Sequence, residues 1–226
     1  MLRTETVSPE LLKTLQQLME MKSLQNFRLV GGTALSLQLG HRQSLDIDLF
    51  TSSDFSKDEI SSELIATFNI KGKVKLMGDT MIQTITNDGV KIDIVNKKNP
   101  FTRDAVLEEG IRMARIEEIA AMKIKIICDP FTGRKTKKDL SDVAVLLDKF
   151  SIKEMVHFFK EKYPTMAPYD EGVILQLNDF SKAEVTEMPK MLNRMTWKSI
   201  KQKIENGLKK YFDDIISERE KKLKDK

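Results

Sequence analysis

The sequence predicts an α+β fold, a small mixed sheet flanked by helices and followed by an α-helical C-terminal subdomain, and three observations carry that expectation. Residues 45–50 alternate strictly, with Leu45, Ile47 and Leu49 on one side and Asp46, Asp48 and Phe50 on the other, which is strand periodicity. Further strand-like runs at 27–30, 74–77, 81–86 and 90–95 all fall in the first half, the last two joined by Asn87-Asp88-Gly89. After about Ile111 the apolar residues take helical spacing and strands disappear. The division follows: a core over 1–110, and a helical subdomain over 111–226 expected to pack on it and complete the active site.

In chain order, a helix over 9–24 is opened by Ser8 as cap and Pro9 at its first position, with Leu11, Leu15, Leu18 and Met19 on one face. The strand at 27–30 leads through Gly31-Gly32 into a helix at 34–39, a strand, tight turn and helix with Thr33 at the helix start. A helix covers 57–68. The second half holds helices near 115–128, 136–150, 152–162, 171–178 and 182–193. The final helix presents Trp197, Ile200, Ile204, Leu208, Tyr211 and Ile215 as one packing stripe and is expected to fray beyond Ile216. Met19, Met122 and Met155 suit core filling better than a cofactor box, and His41 suits a loop better than a ligand set.

Composition narrows the class. With 226 residues, 40% of them hydrophobic, the chain can bury a real core and does not belong with disordered proteins. The single cysteine, Cys128, cannot close an internal disulfide, and neither a signal peptide nor a membrane-spanning run is evident. The apolar stretch at 116–128 is interrupted by Glu117, Glu118, Lys123 and Lys125. A soluble cytoplasmic protein with no membrane partner is expected. Net charge is +4, and the last thirty residues hold ten Lys/Arg against six Asp/Glu. Such a tail suits nucleic acid or an acidic partner, and equally a solvated helix face.

The chemistry sits on the acidic strand. Side chains two apart on a strand project together, so Asp46 and Asp48 share one site. Like charges held that close need water or a cation, and Mg²⁺ favours such oxygen ligands. In 90–95 the same alternation turns Ile92 and Ile94 inward and puts Asp93 on the face of Lys91, a candidate third carboxylate. Three carboxylates can hold two ions about 4 Å apart, one activating an attacking hydroxyl and the other neutralising a triphosphate. Upstream, the Gly31-Gly32-Thr33 turn permits close backbone approach and offers helix N–H groups to phosphate, although Thr33 could instead cap the helix. Arg42 and Ser44 flank the strand and are candidate phosphate contacts. Arg134, Lys135, Lys137 and Lys138 form a basic loop suited to nucleotide or RNA, or merely to solvent.

The stretch Val30-Gly31-Gly32-Thr33-Ala34-Leu35 through His41-Arg42-Gln43-Ser44-Leu45-Asp46-Ile47-Asp48-Leu49-Phe50 resembles the AbiEii/AbiGii-type nucleotidyltransferase toxins of the polymerase-beta-like superfamily. Lys91 to Val95 looks like that family's third-carboxylate strand. Its helix lysine followed by an Arg-Asp-x-x-Asp segment is similar to Lys123 and then Lys138-Asp139-Leu140-Ser141-Asp142, with Lys138 where the family has arginine. The resemblance implies a polymerase-beta-like core, with the glycine turn and aspartates at the nucleotide site. The helix wheel supports Lys123 independently: at about 100° per residue it lies on the apolar face with Ile116, Ile119, Ala120, Ile126 and Ile127. A buried ammonium there needs an anion, unless it snorkels to water, whereas Lys125 points away with Glu118. Asp139 and Asp142, one turn apart, could hold Lys123 or Arg134, or simply sit at a helix start where acids are favoured.

The expected function is therefore metal-dependent transfer of a nucleoside monophosphate from an NTP to a hydroxyl, with pyrophosphate leaving. The resemblance implies a toxin of a toxin–antitoxin or phage-defence system acting on RNA such as tRNA, with two Mg²⁺ ions (or Mn²⁺) and a cognate antitoxin as partner. Asp46, Asp48 and Asp93 would bind metal and carry catalysis with Lys123, Asp139 and Asp142. Gly31, Gly32, Thr33, Arg42 and Ser44 would hold the nucleotide. Transfer to a protein or to an aminoglycoside-like small molecule, and a non-catalytic nucleotide-binding module, stay open as alternatives.

Overall fold

A computed structural model describes residues 1–70, 74–129 and 135–224, with the side chains of 167–173 outside that description. Chain order is α1 (Pro9–Glu20), β1 (Arg28–Leu29), α2 (Gly31–Leu39), β2 (Asp46–Thr51), α3 (Lys57–Phe68), β3 (Lys75–Met77), β4 (Met81–Ile85), β5 (Lys91–Asn96), β6 (Val106–Glu108) and β7 (Ile111–Met113). The helices α4 (Ile116–Cys128), α5 (Lys137–Leu146), α6 (Ile152–Lys162), α7 (Asp170–Leu177), α8 (Ser181–Glu184) and α9 (Trp197–Lys224) follow. The chain divides into two compact units, Met1–Ile119 with Lys190–Asn193, and Ala120–Pro189 with Arg194–Lys226.

In the first unit the described strands make one mixed sheet, in the order β3-β4-β5-β2-β1-β7-β6. The pairs β2·β5 and β1·β7 run parallel and the rest antiparallel. The alternation anticipated from sequence is kept: Ile47, Leu49, Ile92 and Ile94 are fully buried while Asp46, Asp48, Lys91 and Asp93 on the other face stay partly open. Leu11, Leu15, Leu18 and Met19 of α1 are buried as their spacing demands. Ser8 caps α1, accepting from the Leu11 amide at 3.1 Å. Arg112 ties the end of that helix to β7 by donating to the carbonyls of Met19, Leu24 and Phe27.

The second unit is helical. Thr136 caps α5 by accepting from the Asp139 amide, and Ser151 and Glu154 close a capping box on α6. Ile200, Ile204 and Leu208 of α9 are buried. Burial pushes the Cys128 thiol up to about 12, so it carries no nucleophile at neutral pH.

The structure corrects the sequence reading in several places. Strands persist past the expected changeover near Ile111, because β6 and β7 are three residues each and too short to show a period. Leu45 lies ahead of β2 and is 70% exposed, so it anchors nothing. The helix expected over 182–193 stops at Glu184. The chain beyond it runs past Pro189 to pair against 41–43, where Arg42 bridges Met191 and the Gln43 amide donates to the Lys190 carbonyl at 2.9 Å. Helix α9 continues to Lys224 instead of fraying at Ile216. Glu118 is buried, because loop 101–103 folds over it. Its carboxylate accepts from the Thr102 hydroxyl at 2.6 Å, from the Thr102 amide and from the Arg103 amide at 3.1 Å.

Candidate active site

Parallel pairing of β2 with β5 sets the geometry. Asp46 stands opposite Lys91 and Asp48 opposite Asp93, so all four side chains rise from the same face in two adjacent columns. Gln83 of β4 stands opposite Asp93 on the other side. It donates through Nε2 to Asp93 Oδ1 at 2.8 Å, while Lys91 Nζ donates to Asp93 Oδ2 at 2.8 Å. The hydrogen bond to Asp93 raises the Lys91 pKa above its ordinary value, and the charges of Asp93, Asp46 and Asp48 add to this. A protein cation thus already sits in the field of the three carboxylates.

The glycine turn closes on the same row. Val30 donates its amide to the Asp48 carbonyl at 2.9 Å, and α2 begins at the next residue. Gly31 has φ +69°, and a Cβ there would lie 2.7 Å from Asp48 Oδ2. The Asp48 carboxylate therefore rests against the positive end of α2. Gly32 makes room for Arg42, whose Nη2 would meet a Cβ at 2.1 Å.

The predicted nucleotide contacts separate into two kinds. Gly31 and Gly32 form the backbone start of α2. Thr33, Ser44 and Arg42 are buried. Thr33 lies inside α2, not at its cap; its hydroxyl donates to the Asp46 carbonyl and is 2.8 Å from the Ser44 hydroxyl, which ties the helix to the acidic strand. Arg42 also donates to the Gln43 carbonyl at 2.9 Å. His41 is a buried loop residue whose carbonyl accepts from the Leu192 amide at 2.9 Å. The strap 190–193 that holds 41–43 carries no sequence signal toward this role.

In the second unit the structure joins Lys123 of α4 with Asp139 and Asp142 of α5. The ammonium lies 2.9 Å from Asp139 Oδ1 and 2.7 Å from Asp142 Oδ2, with the three side chains 5%, 5% and 0% exposed. The lysine does not snorkel. Burial opposes the charge on Asp139, but the field of Lys123 and hydrogen bonds from Thr136 and Lys123 outweigh it and hold that carboxyl below its usual range. The expected basic loop is largely engaged elsewhere. Lys135 donates to the Gln176 and Asp179 carbonyls, and Lys137 to those of Glu184 and Thr186. Arg134 lies outside the described residues.

The sequence profile of the family described as "Nucleotidyl transferase AbiEii toxin, Type IV TA system" matches residues 13–218. The chain belongs to this AbiEii family. It is accordingly a nucleotidyltransferase. A relative from Aquifex aeolicus, described as an uncharacterized protein, is 29% identical over 157 residues, covering 67% of this chain and 73% of its own length. The AbiEii fold is shared with JHP933 from Helicobacter pylori, at a TM-score of 0.53 and 18% identity over 95% of this chain and 97% of that one. A second structure from H. pylori, a provisionally assigned nucleotidyltransferase, gives 0.53 and 20% over 96% and 98%. Among the described residues, no helix of this AbiEii-family chain is long and apolar enough to cross a membrane.

The aspartate row suits a divalent cation chemically. Its donors are all carboxylate oxygens, and an ammonium already stands among them as a cation. Among the described residues, no three acidic, histidine or cysteine side chains are gathered tightly enough to ligate an ion as they stand.

Proposed function

We propose that the first unit transfers a nucleoside monophosphate from an NTP to a hydroxyl of RNA, as the toxin of a toxin–antitoxin or phage-defence pair working in the cytoplasm. The observation that supports this reading most is the β2·β5 register, which sets Asp48 beside Asp93. Asp46, Asp48 and Asp93 would hold Mg²⁺. When bound, the metal would neutralise the triphosphate and ease ionisation of the acceptor hydroxyl. The chain's own groups do the rest. The first amides of α2, opened by Gly31 and Gly32, receive phosphate oxygens. Asp93, bonded to Lys91 and oriented by Gln83, accepts the hydroxyl proton. The acceptor oxygen bonds to the α-phosphorus as the bond to the β-phosphate oxygen breaks, and pyrophosphate leaves. Thr33 and Ser44 fix α2 against the acidic strand, and Arg42 fills the space beneath Gly32.

The test is to incubate the purified chain with each NTP, Mg²⁺ and total RNA, and to follow pyrophosphate release together with labelling of RNA from α-³²P nucleotides. Both are expected with at least one NTP, and both should disappear on chelation and in Asp46→Asn. Absence of pyrophosphate with every NTP, or full activity in Asp46→Asn, would overturn the assignment.

A further inference from the structure

A second charged cleft lies in the first unit outside the aspartate row. Arg28, Phe101, Thr102, Arg103, Asp104 and Arg115 line a space of about 400 Å³. Three arginines and one aspartate are among these residues, and guanidinium forks match phosphate geometry. The wall is built in advance. The Arg28 guanidinium stacks 4.3 Å from the Phe101 ring centre and donates to the Arg103 carbonyl at 2.6 Å. Arg103 in turn donates to the Thr102 hydroxyl at 2.9 Å. Buried Glu118 pins the loop from below through Thr102 and Arg103.

The sheet register relates this cleft to the aspartates. Arg28 stands opposite Phe50, and Phe50 shares its face of β2 with Asp48 and Asp46. Arg28 is therefore one strand over and one side-chain repeat along from Asp48, roughly 8 Å away on strand spacing alone. Phe50, carrying Lys97 5.3 Å from its ring centre, lies on that path. Acids, an aromatic ring and then an arginine cleft follow one another on one face.

We propose that the Arg28–Arg103–Arg115 cleft is a binding site for a backbone phosphate of the RNA acceptor, one step in from its reacting hydroxyl. The inference rests on the proposed transfer at the aspartate row and names where the acceptor strand is held. A polynucleotide whose terminal hydroxyl stands at the aspartates carries a phosphate at each following step, and its bases can lie on aromatic rings. An aminoglycoside is a polycation and is repelled by three arginines. A protein hydroxyl has no regular phosphate to offer them.

The experiment measures binding without chemistry. A short fluorescein-labelled single-stranded RNA is titrated with the full chain by fluorescence anisotropy, without NTP, at several potassium chloride concentrations. Arg103→Gln/Arg115→Gln is expected to weaken binding at least tenfold and to flatten the salt dependence by about 0.7 log units per log unit of salt, one phosphate contact's worth. Arg115→Glu, at an exposed position, should weaken it in the same direction. Asp46→Asn should bind as the unaltered chain does. Equal affinity and salt slope in the arginine variants, or no RNA binding by the unaltered chain, overturns the proposal. Failure of the catalytic reading looks different: RNA binding still depends on the arginines, but no NTP yields pyrophosphate.

Discussion

Exchanging Lys123 for methionine lowers the stability of the helical unit by about 3–5 kcal/mol, the usual cost of removing one partner from a buried ion cluster. The size follows from what remains. Asp139 and Asp142 stand one turn apart on α5, almost wholly buried, and the ammonium lies within 3 Å of each. Without it their like charges face each other in a poorly polarisable surrounding, and one must take up a proton. Packing is little changed, since methionine is close to the lysine stem in volume. The control separates charge from shape: adding Asp139→Asn and Asp142→Asn to Lys123→Met removes the stranded charges and should recover part of the loss. Urea denaturation followed by circular dichroism reads both. An unshifted midpoint in Lys123→Met would mean the cluster contributes nothing.

The same cluster gives a pH dependence of definite sign. The folded-state carboxyl of Asp139 is held below its ordinary value, so the unfolded chain binds the proton more readily. Its stabilising share is fully present above the ordinary carboxylate range, about pH 4, and is lost as pH falls through the lower folded value. The unaltered chain should lose denaturation midpoint on acidification through that window. In Lys123→Met the lowering field is gone, and burial with the Asp142 charge raises the carboxyl against the remaining Thr136 hydrogen bond; that variant should lose less on acidification, or gain. Parallel losses in both proteins would refute the assignment.

Which parts of this were legible beforehand follows from how local each signal is. Lys123 announced itself because a charge on the apolar face of α4 demands an anion, and the two aspartates on α5 were visible as the supply. The acidic strand was equally plain, since a period of two fixes which side chains share a face. The pairing of Asp48 with Asp93 was not visible. It depends on β2 and β5 lying parallel and in register across more than forty residues, a choice made by the whole sheet. Glu118 was misread for the same reason: a helix wheel shows one helix, and loop 101–103 covers a position that the wheel leaves open. Thr33 and Ser44 looked like phosphate ligands because hydroxyls beside a glycine turn suit that role. Only the packed structure shows them turned to each other. The strap 190–193 has no period at all, and pairs with 41–43 through backbone groups that any sequence carries.

Gly31→Ala should cost nucleotidyl transfer roughly a hundredfold, the loss expected when a reacting group is misplaced by about an ångström, with only a modest loss of stability. Two effects meet at this residue. Its φ of +69° costs an L-residue about 1–2 kcal/mol. The added methyl would also lie 2.7 Å from Asp48 Oδ2 and 3.5 Å from its Cγ, so the carboxylate must turn away. Asp48 is partly open, so the turn is possible without unfolding, but it takes the group out of line with Asp46 and Asp93. The neighbouring Gly32→Ala should fail differently. Its methyl would meet Arg42 Nη2 at 2.1 Å, and Arg42 is only 1% exposed, walled in by the 190–193 strap. A buried guanidinium cannot step aside into water, so this variant should lose fold stability before it loses chemistry. Pyrophosphate release per folded molecule, measured beside thermal melting, distinguishes the two. Full activity in Gly31→Ala would show that the Asp48 carboxylate need not rest against the start of α2 for transfer, and the phosphate site would then have to be sought elsewhere on the sheet.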